Sequence, residues 1–271
     1  MLGCLQERKQ APKGEGSVMS TSQEDMVEKI AKLLAKAESS THEAEQQAFV
    51  AKAQELMSKF AINEAMLKFA GKQQTEGIEE VEIIWNRYSY QPFKTNFLNV
   101  LARHNNVVCF YTNGDWIRTE DGKHGIKVTL VGYKSEVQFV QMLFASTWIQ
   151  CMNLGNQAFR ARVDSTIKRP KFWHSFIEGY SHRIDRRLTD LKIASEADGA
   201  KTNGTGVGLA LRDRRQDVRN HVNSKYHLGI AKSRNHHADP NAYNSGSSAG
   251  SRADISGGRG SVSGNIKQLG R

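Results

Sequence analysis

From Arg169 to Leu191 the chain reads RPKFWHSFIEGYSHRIDRRLTDL, and Phe172, Trp173, Phe176, Ile177, Tyr180, Ile184, Leu188 and Leu191 recur on one broad helical face. An apolar stripe this wide and this aromatic has to be buried, so the rest of the chain must build elements around it. His174, Glu178 and His182 stand four residues apart, a spacing that suits metal ligands. At about 100° per residue, however, they fall opposite the stripe, and a solvated polar face is the expected outcome.

A second helical signal lies near the N-terminus. Val27, Ile30, Leu33, Leu34 and Ala37 repeat at helical spacing, and after Ser39-Ser40-Thr41 the pattern resumes with Ala44, Ala48, Ala53, Leu56, Met57 and Phe60. Two amphipathic helices in a hairpin follow. The alanines at 31, 35, 37, 44, 48, 51 and 53 are expected to let the two backbones approach closely, and Ser40 followed by Glu43 fits a capping box. His42-Glu43-Ala44-Glu45-Gln46 is one histidine short of a zincin helix, because Gln46 stands where the second histidine belongs. Upstream, Met19 is the expected translation start, with Met1 to Val18 an overrun and Ser22 a helix N-cap.

The hairpin resembles the N-terminal domain of a phage and bacterial family of unknown function, the 2786 type. The resemblance rests on Lys29-Ile30, Leu33-Leu34-Ala35, Ala37, Glu43-Ala44 and the run Lys52-Ala53-Gln54-Glu55-Leu56-Met57. Members often carry a second domain similar to Asn96 to about Leu191, and a C-terminal element similar to Tyr243, Gly246, Ala249 and Gly250. The resemblance implies a phage or prophage setting and assigns no catalytic residues.

In the middle of the chain VEIIWNRYSY reads as a strand, and FKTNFLNVLARHNN as a helix with Phe93, Phe97, Leu98 and Leu101 inward. Asn113-Gly114 and Asp121-Gly122 are tight-turn dipeptides that divide VVCFYT, DWIRT and IKVTLVGY into a three-stranded meander. A long helix from Ser135, carrying Val137, Val140, Phe144, Trp148 and Cys151, is expected to lie across it. Helix, three strands, helix is the order of a double-stranded-RNA-binding domain. That domain grips phosphates with clustered lysines, whereas Gly132 to Glu136 offers only Lys134 beside a carboxylate. Asp115, Glu120, Asp121 and Lys123 are the residue types of a metal-dependent nuclease, although Asp121-Gly122 is first of all a turn.

The predicted fold class is therefore α+β: an N-terminal helical hairpin, then a small mostly antiparallel sheet packed by long helices, then a disordered Gly/Ser-rich basic tail. The expected organisation is a leader (1–22), a helical domain (23–72), an α+β domain with long helices (78–195), a basic segment (196–243) and the tail (244–271). In the basic segment GVGLALRDRRQDVRNHVNSKYH reads as a short strand followed by a helix, and TNGTGVG lacks the context and ending of a P-loop. From Asn244 to Gly264, 13 of 21 residues are Gly or Ser, which argues for flexibility, while the Gly246/Gly250 spacing suits a short close-packed helix before it.

Charge points to a partner. The formal net charge is +10, and all of the excess lies from Ser165 onward, where 19 Lys and Arg face 9 Asp and Glu; the first 164 residues hold 19 of each. The expected function is that of a phage or prophage accessory protein associating non-specifically with nucleic acid, DNA in first place. Arg183, Arg186, Arg187, Arg212, Arg214, Arg215 and Arg219 are expected to contact phosphates. The alternatives are a protein-protein adaptor that binds a host or phage protein through the hairpin, and a metal-dependent hydrolase whose ligands converge only in space. No nucleophile-base-orienter set is legible, so the reading leans away from an enzyme and calls for no cofactor. His221, His227, His236 and His237 match no zinc module, and Cys4, Cys109 and Cys151 form no Cys-x-x-Cys pair. With no apolar run of about 18 residues, membrane attachment is not expected, and a bacterial cytoplasm is the expected location.

Overall fold

The protein is seen in a computed structural model that describes residues 21–42, 44–46, 48–53, 55–57, 77–86, 90–120, 122–162, 166–201, 205–229 and 237–255. The proposed start at Met19 and the end of the expected tail lie outside these residues. The chain divides into two units, one formed by 1–77, 141–149 and 254–271, the other by 78–140 and 150–253.

In the first unit α1 spans Thr21–Ser39, and α2 covers the described residues 44–46, 48–53 and 55–57. Ile30, Leu34 and Ala37 on α1 are buried, as are Val50, Ala53 and Met57 on α2, each set on one helical stripe. Lys36 Nζ lies 5.8 Å from the centroid of the Phe49 ring, joining the two arms of the hairpin. The alanines behave differently from the sequence expectation. Only Ala37 and Ala53 are buried, while Ala35, Ala44, Ala48 and Ala51 are exposed, because larger residues on the same stripes occupy the interface. The turn is held by Ser40, whose Oγ accepts from His42 N at 3.2 Å and donates to Glu45 Oε2 at 2.5 Å. Gln46 Nε2 also donates to Ser40 O at 2.6 Å. Glu43, the expected partner of Ser40, lies outside the described residues.

The second unit is built on a three-stranded antiparallel sheet ordered β1-β3-β2, with β1 at Ile78–Asn86, β2 at Val108–Arg118 and β3 at His124–Tyr133. Helix α3 spans Gln91–His104 and buries Phe97, Leu98 and Leu101. Because β1 precedes α3, the order is strand, helix, two strands, helix. That removes the double-stranded-RNA-binding arrangement, and the strand VEIIW completes the sheet rather than standing outside a meander. The turn at Gly122 is present, with φ 74 and a Gly122 N to Thr119 O bond of 2.8 Å. The other expected turn is not. Asn113-Gly114 lies inside β2, where Asn113 pairs with Ile126 and Arg118 with His124, so the ladder absorbs the extra residues as an irregularity instead of reversing direction.

Helix α4 spans Lys134–Ala161, α5 Arg169–Lys201, α6 Thr205–Lys225 and α7 Pro240–Arg252. On α5, Phe172, Trp173, Phe176, Ile177, Tyr180 and Ile184 are buried, while Leu188 is half-buried and Leu191 exposed. The segment expected to open with a strand is instead helical from its start, as α6, up to Lys225. The expected tail is likewise corrected at its start, since residues 244–252 complete α7. Its small residues are needed for packing. A Cβ on Gly246 would stand 2.0 Å from Phe176 O, and one on Gly179 of α5 would stand 2.1 Å from Tyr243 O, so α5 and α7 touch backbone to backbone. Asp239 caps α7 by accepting from Ala242 N at 2.8 Å, and its own N donates to Ser175 Oγ at 2.8 Å.

Candidate nucleic-acid interface

The arginines expected to meet phosphate separate into two groups. Arg183 Nε donates to Ser251 Oγ at 2.8 Å, and Arg187 Nη1 donates to Gly250 O at 2.8 Å and Ala253 O at 2.6 Å. Both side chains are thus spent on the C-terminal end of α7, where cations and donors satisfy the last carbonyls. One position before Arg187, Arg186 is exposed. On α6, Arg214 lies with Cζ 3.9 Å from the Tyr133 ring centroid and Nε 3.7 Å from Glu136 Oε1. Arg215 donates from Nε and Nη2 to Asn106 Oδ1 at 3.2 and 3.1 Å. Arg219 is exposed, and the side chain of Arg212 lies outside the described residues.

The contacts of Arg214 and Arg215 belong to a docking face. Val218 and Val222 on α6 pack with Val131 of β3, and Ile78, Val108, Phe110, Tyr133 and Tyr226 surround them. Glu80 on β1 accepts from His221 Nε2, Lys225 Nζ and Tyr226 OH, each at 2.7 Å. Burial pushes the Glu80 carboxyl up, but the donors from Lys225, His221 and Tyr226 outweigh it and hold the group at about 2. At the other end Tyr133 OH donates to Asp217 Oδ2 at 3.1 Å, and Asn106 Nδ2 donates to Glu136 Oε1 at 3.2 Å. The Glu136 side chain is 1% exposed, and its Oε2 is buried without a hydrogen-bond partner.

A different set of cations faces solvent. Arg160 near the end of α4, and Lys168, Arg169 and Lys171 at the start of α5, are exposed. No carboxylate is paired with them among the described residues, and the same holds for Arg186, Arg219 and Arg252. At this corner the Phe159 ring has Arg162 Cζ 3.5 Å and Arg169 Cζ 5.7 Å from its centroid, and it meets Phe172 edge-on at 5.0 Å. An open groove of about 430 Å³ between α4 and α7 offers the amides of Asn241 and Asn244 and the hydroxyls of Ser245 and Ser248 beside Arg252. Lys168, Arg169 and Lys171 are legible as a basic cluster in the sequence. Arg160 and Arg252 stand apart from that cluster in the sequence, near the ends of α4 and α7.

Other candidate chemistry is dispersed. His174 stacks on Phe93 at 4.7 Å, and His182 Nδ1 lies 3.0 Å from Tyr243 OH. Among the described residues no group of three or more His, Cys, Asp or Glu side chains is placed to hold a metal ion. His236, Asp121 and the side chain of Asp115 lie outside the described residues. His104 and Arg103 both pair with Asp185, His104 Nε2 at 2.7 Å from Oδ1. Burial raises the Asp185 carboxyl, and the hydrogen bonds from these two partners bring it below its ordinary value. Burial pushes the Cys109 thiol up to about 12 and raises Cys151 as well, which makes both thiols poor nucleophiles. Among the described residues no helix is long and apolar enough to cross a membrane.

No curated protein and no solved structure matches the chain. A family model described as Protein of unknown function (DUF2786) matches residues 25–64. These residues include most of α1 and the described part of α2, so the helical hairpin at the N-terminus carries a domain of the DUF2786 type.

Proposed function

We propose that the protein associates non-specifically with nucleic acid, DNA in first place, as a cytoplasmic accessory protein in a phage or prophage setting. The observation that supports this reading is the set of exposed cations without carboxylate partners among the described residues, Arg160, Lys168, Arg169, Lys171, Arg186, Arg219 and Arg252. Charges of this kind, left uncompensated by the protein, attract a phosphate backbone and release its counterions. In this reading the contact set narrows. Arg186 and Arg219 remain phosphate contacts, whereas Arg183 and Arg187 hold α7 and are scaffold. Side-chain amides and hydroxyls in the groove beside Arg252 suit phosphate and sugar oxygens, which position a backbone without reading bases.

Binding of the purified protein to single- and double-stranded DNA and RNA across a salt series tests this reading. The expected result is affinity that falls steeply with salt and varies little with base sequence. Affinity that is absent at low salt overturns it.

A second reading, protein docking through the hairpin, is favoured by one observation. Ala44, Ala48 and Ala51 are exposed at i, i+4 and i+7, a smooth stripe of the kind a partner helix can approach closely. It predicts a partner retained at high salt and lost on Ala48→Glu.

A further inference from the structure

Two arginines and a lysine on α6 are engaged by acceptors of the protein itself, and the way they are engaged is unusual for a structural helix. Among the described side chains of α6, Val218 and Val222 are the fully buried apolar ones. The rest of the docking face is a series of donors on acceptors. Lys225, His221 and Tyr226 converge on Glu80, Arg214 approaches Glu136, and Arg215 reaches Asn106. The fit at Glu136 is incomplete, since Arg214 Nε stands 3.7 Å from Oε1 and the buried Oε2 has no hydrogen-bond partner. Asn106, which bridges Arg215 and Glu136, holds a left-handed backbone at φ 59. A carboxylate that gathers three donors presents to them what a phosphate would present.

We infer that α6 is a strap: docked, it keeps Arg214, Arg215 and Lys225 on internal acceptors, and a polyanion replaces those acceptors and lifts α6 from the sheet. This rests on the nucleic-acid reading above and adds a regulation to it. The exchange replaces each charge-assisted hydrogen bond lost to Glu80 or Glu136 with one to phosphate, and these must offset the uncovering of Val218, Val222 and Val131. In the docked state the protein binds through Arg160, Lys168, Arg169, Lys171, Arg186 and Arg219; in the lifted state the inner face of α6 joins them. The closed fraction lowers the apparent affinity, so weakening the internal acceptors raises it.

The experiment uses the full chain with Glu80→Gln, beside Glu79→Gln as a control that changes charge equally on the same strand without touching α6. Glu80→Gln is expected to tighten binding to a single-stranded DNA of mixed sequence about fivefold, against less than about twofold for Glu79→Gln. Equal effects of the two variants overturn the strap. Opening is read separately through the thiol introduced by Val218→Cys, at a position fully buried against Val131. Its modification by a thiol reagent is expected to speed up about tenfold on saturation with the DNA, and comparably in Glu80→Gln without DNA. DNA that binds while the labelling rate stays constant or falls overturns the strap and leaves the nucleic-acid reading standing. A wild-type chain that does not bind at low salt overturns both proposals, whatever Glu80→Gln does.

Discussion

Helices α5 and α6 are both rich in arginine, yet they are attached to the second unit by opposite means. The α5–α7 joint is made by backbone touching backbone at Gly179, Gly246 and Gly250, and its arginines close the end of α7. Among the described residues the α6 joint combines a small apolar cluster around Val218 and Val222 with a set of ions and amides. Steric closeness of the first kind is all or nothing, because a close-packed contact has no room for a methyl group. Charge pairing of the second kind is exchangeable, because an outside anion can take the place of an internal one. The lesson is that arginine density alone says little about which guanidinium groups face solvent; what each already touches decides it.

The comparison breaks first at the glycines. Gly246→Ala puts a Cβ 2.0 Å from Phe176 O and is expected to destabilise the protein by about 3 kcal/mol in thermal or denaturant unfolding. An unfolding midpoint equal to wild type would mean that the two helices are not in backbone contact. Next comes the pair of neighbouring arginines. Arg187→Ala leaves two helix-terminal carbonyls without their donor and is expected to cost about 2 kcal/mol, whereas exposed Arg186→Ala is expected to stay within about 0.5 kcal/mol while weakening DNA binding. Stability and binding measured on the two variants should therefore rank in opposite order.

A smaller effect sharpens the α6 side. The Glu80 carboxyl titrates at about 2 in the folded protein against an ordinary value of 4.5, so the folded state binds its proton less readily than the unfolded state does. Its contribution is fully present above pH ~5 and is lost as the pH falls through about 2. Glu80→Gln is expected to remove about 1 kcal/mol at neutral pH and to flatten that part of the acid dependence. Hydrogen exchange of the α6 amides between pH 5 and pH 3 reads both; an identical pH profile in the variant would show that Glu80 does not hold α6.

How much of this was legible in the sequence depends on the range of the forces involved. The apolar stripe of α5 and the hairpin of α1 and α2 are read from periodicity because each helix face is a local property. Helix α7 is harder. Its Gly and Ser residues have the composition of a linker, and Gly246 and Gly250 become structural only because Phe176 and Tyr180 approach them from far along the chain. Asn113-Gly114 failed as a turn for a related reason, since the neighbouring strand β3 accommodates it as an irregular pairing. For the candidate interface, Lys168, Arg169 and Lys171 stand out as a cluster, but the hydrogen bonds of Arg183 and Arg187 to the end of α7 are visible only once α7 is in place. Charge is visible in a sequence, whereas the partner that neutralises it is a tertiary fact.

The most direct test of the account is the salt dependence of DNA binding by the full chain, compared with a variant carrying Arg160→Glu, Lys168→Glu, Arg169→Glu and Lys171→Glu. All four side chains are exposed and have no carboxylate partner among the described residues, so the variant is expected to fold as wild type does. The account predicts weaker binding at every salt concentration and a slope of log K against log salt that is shallower by about 3. A wild-type affinity that ignores salt, or a variant whose slope equals that of the wild type, would contradict it.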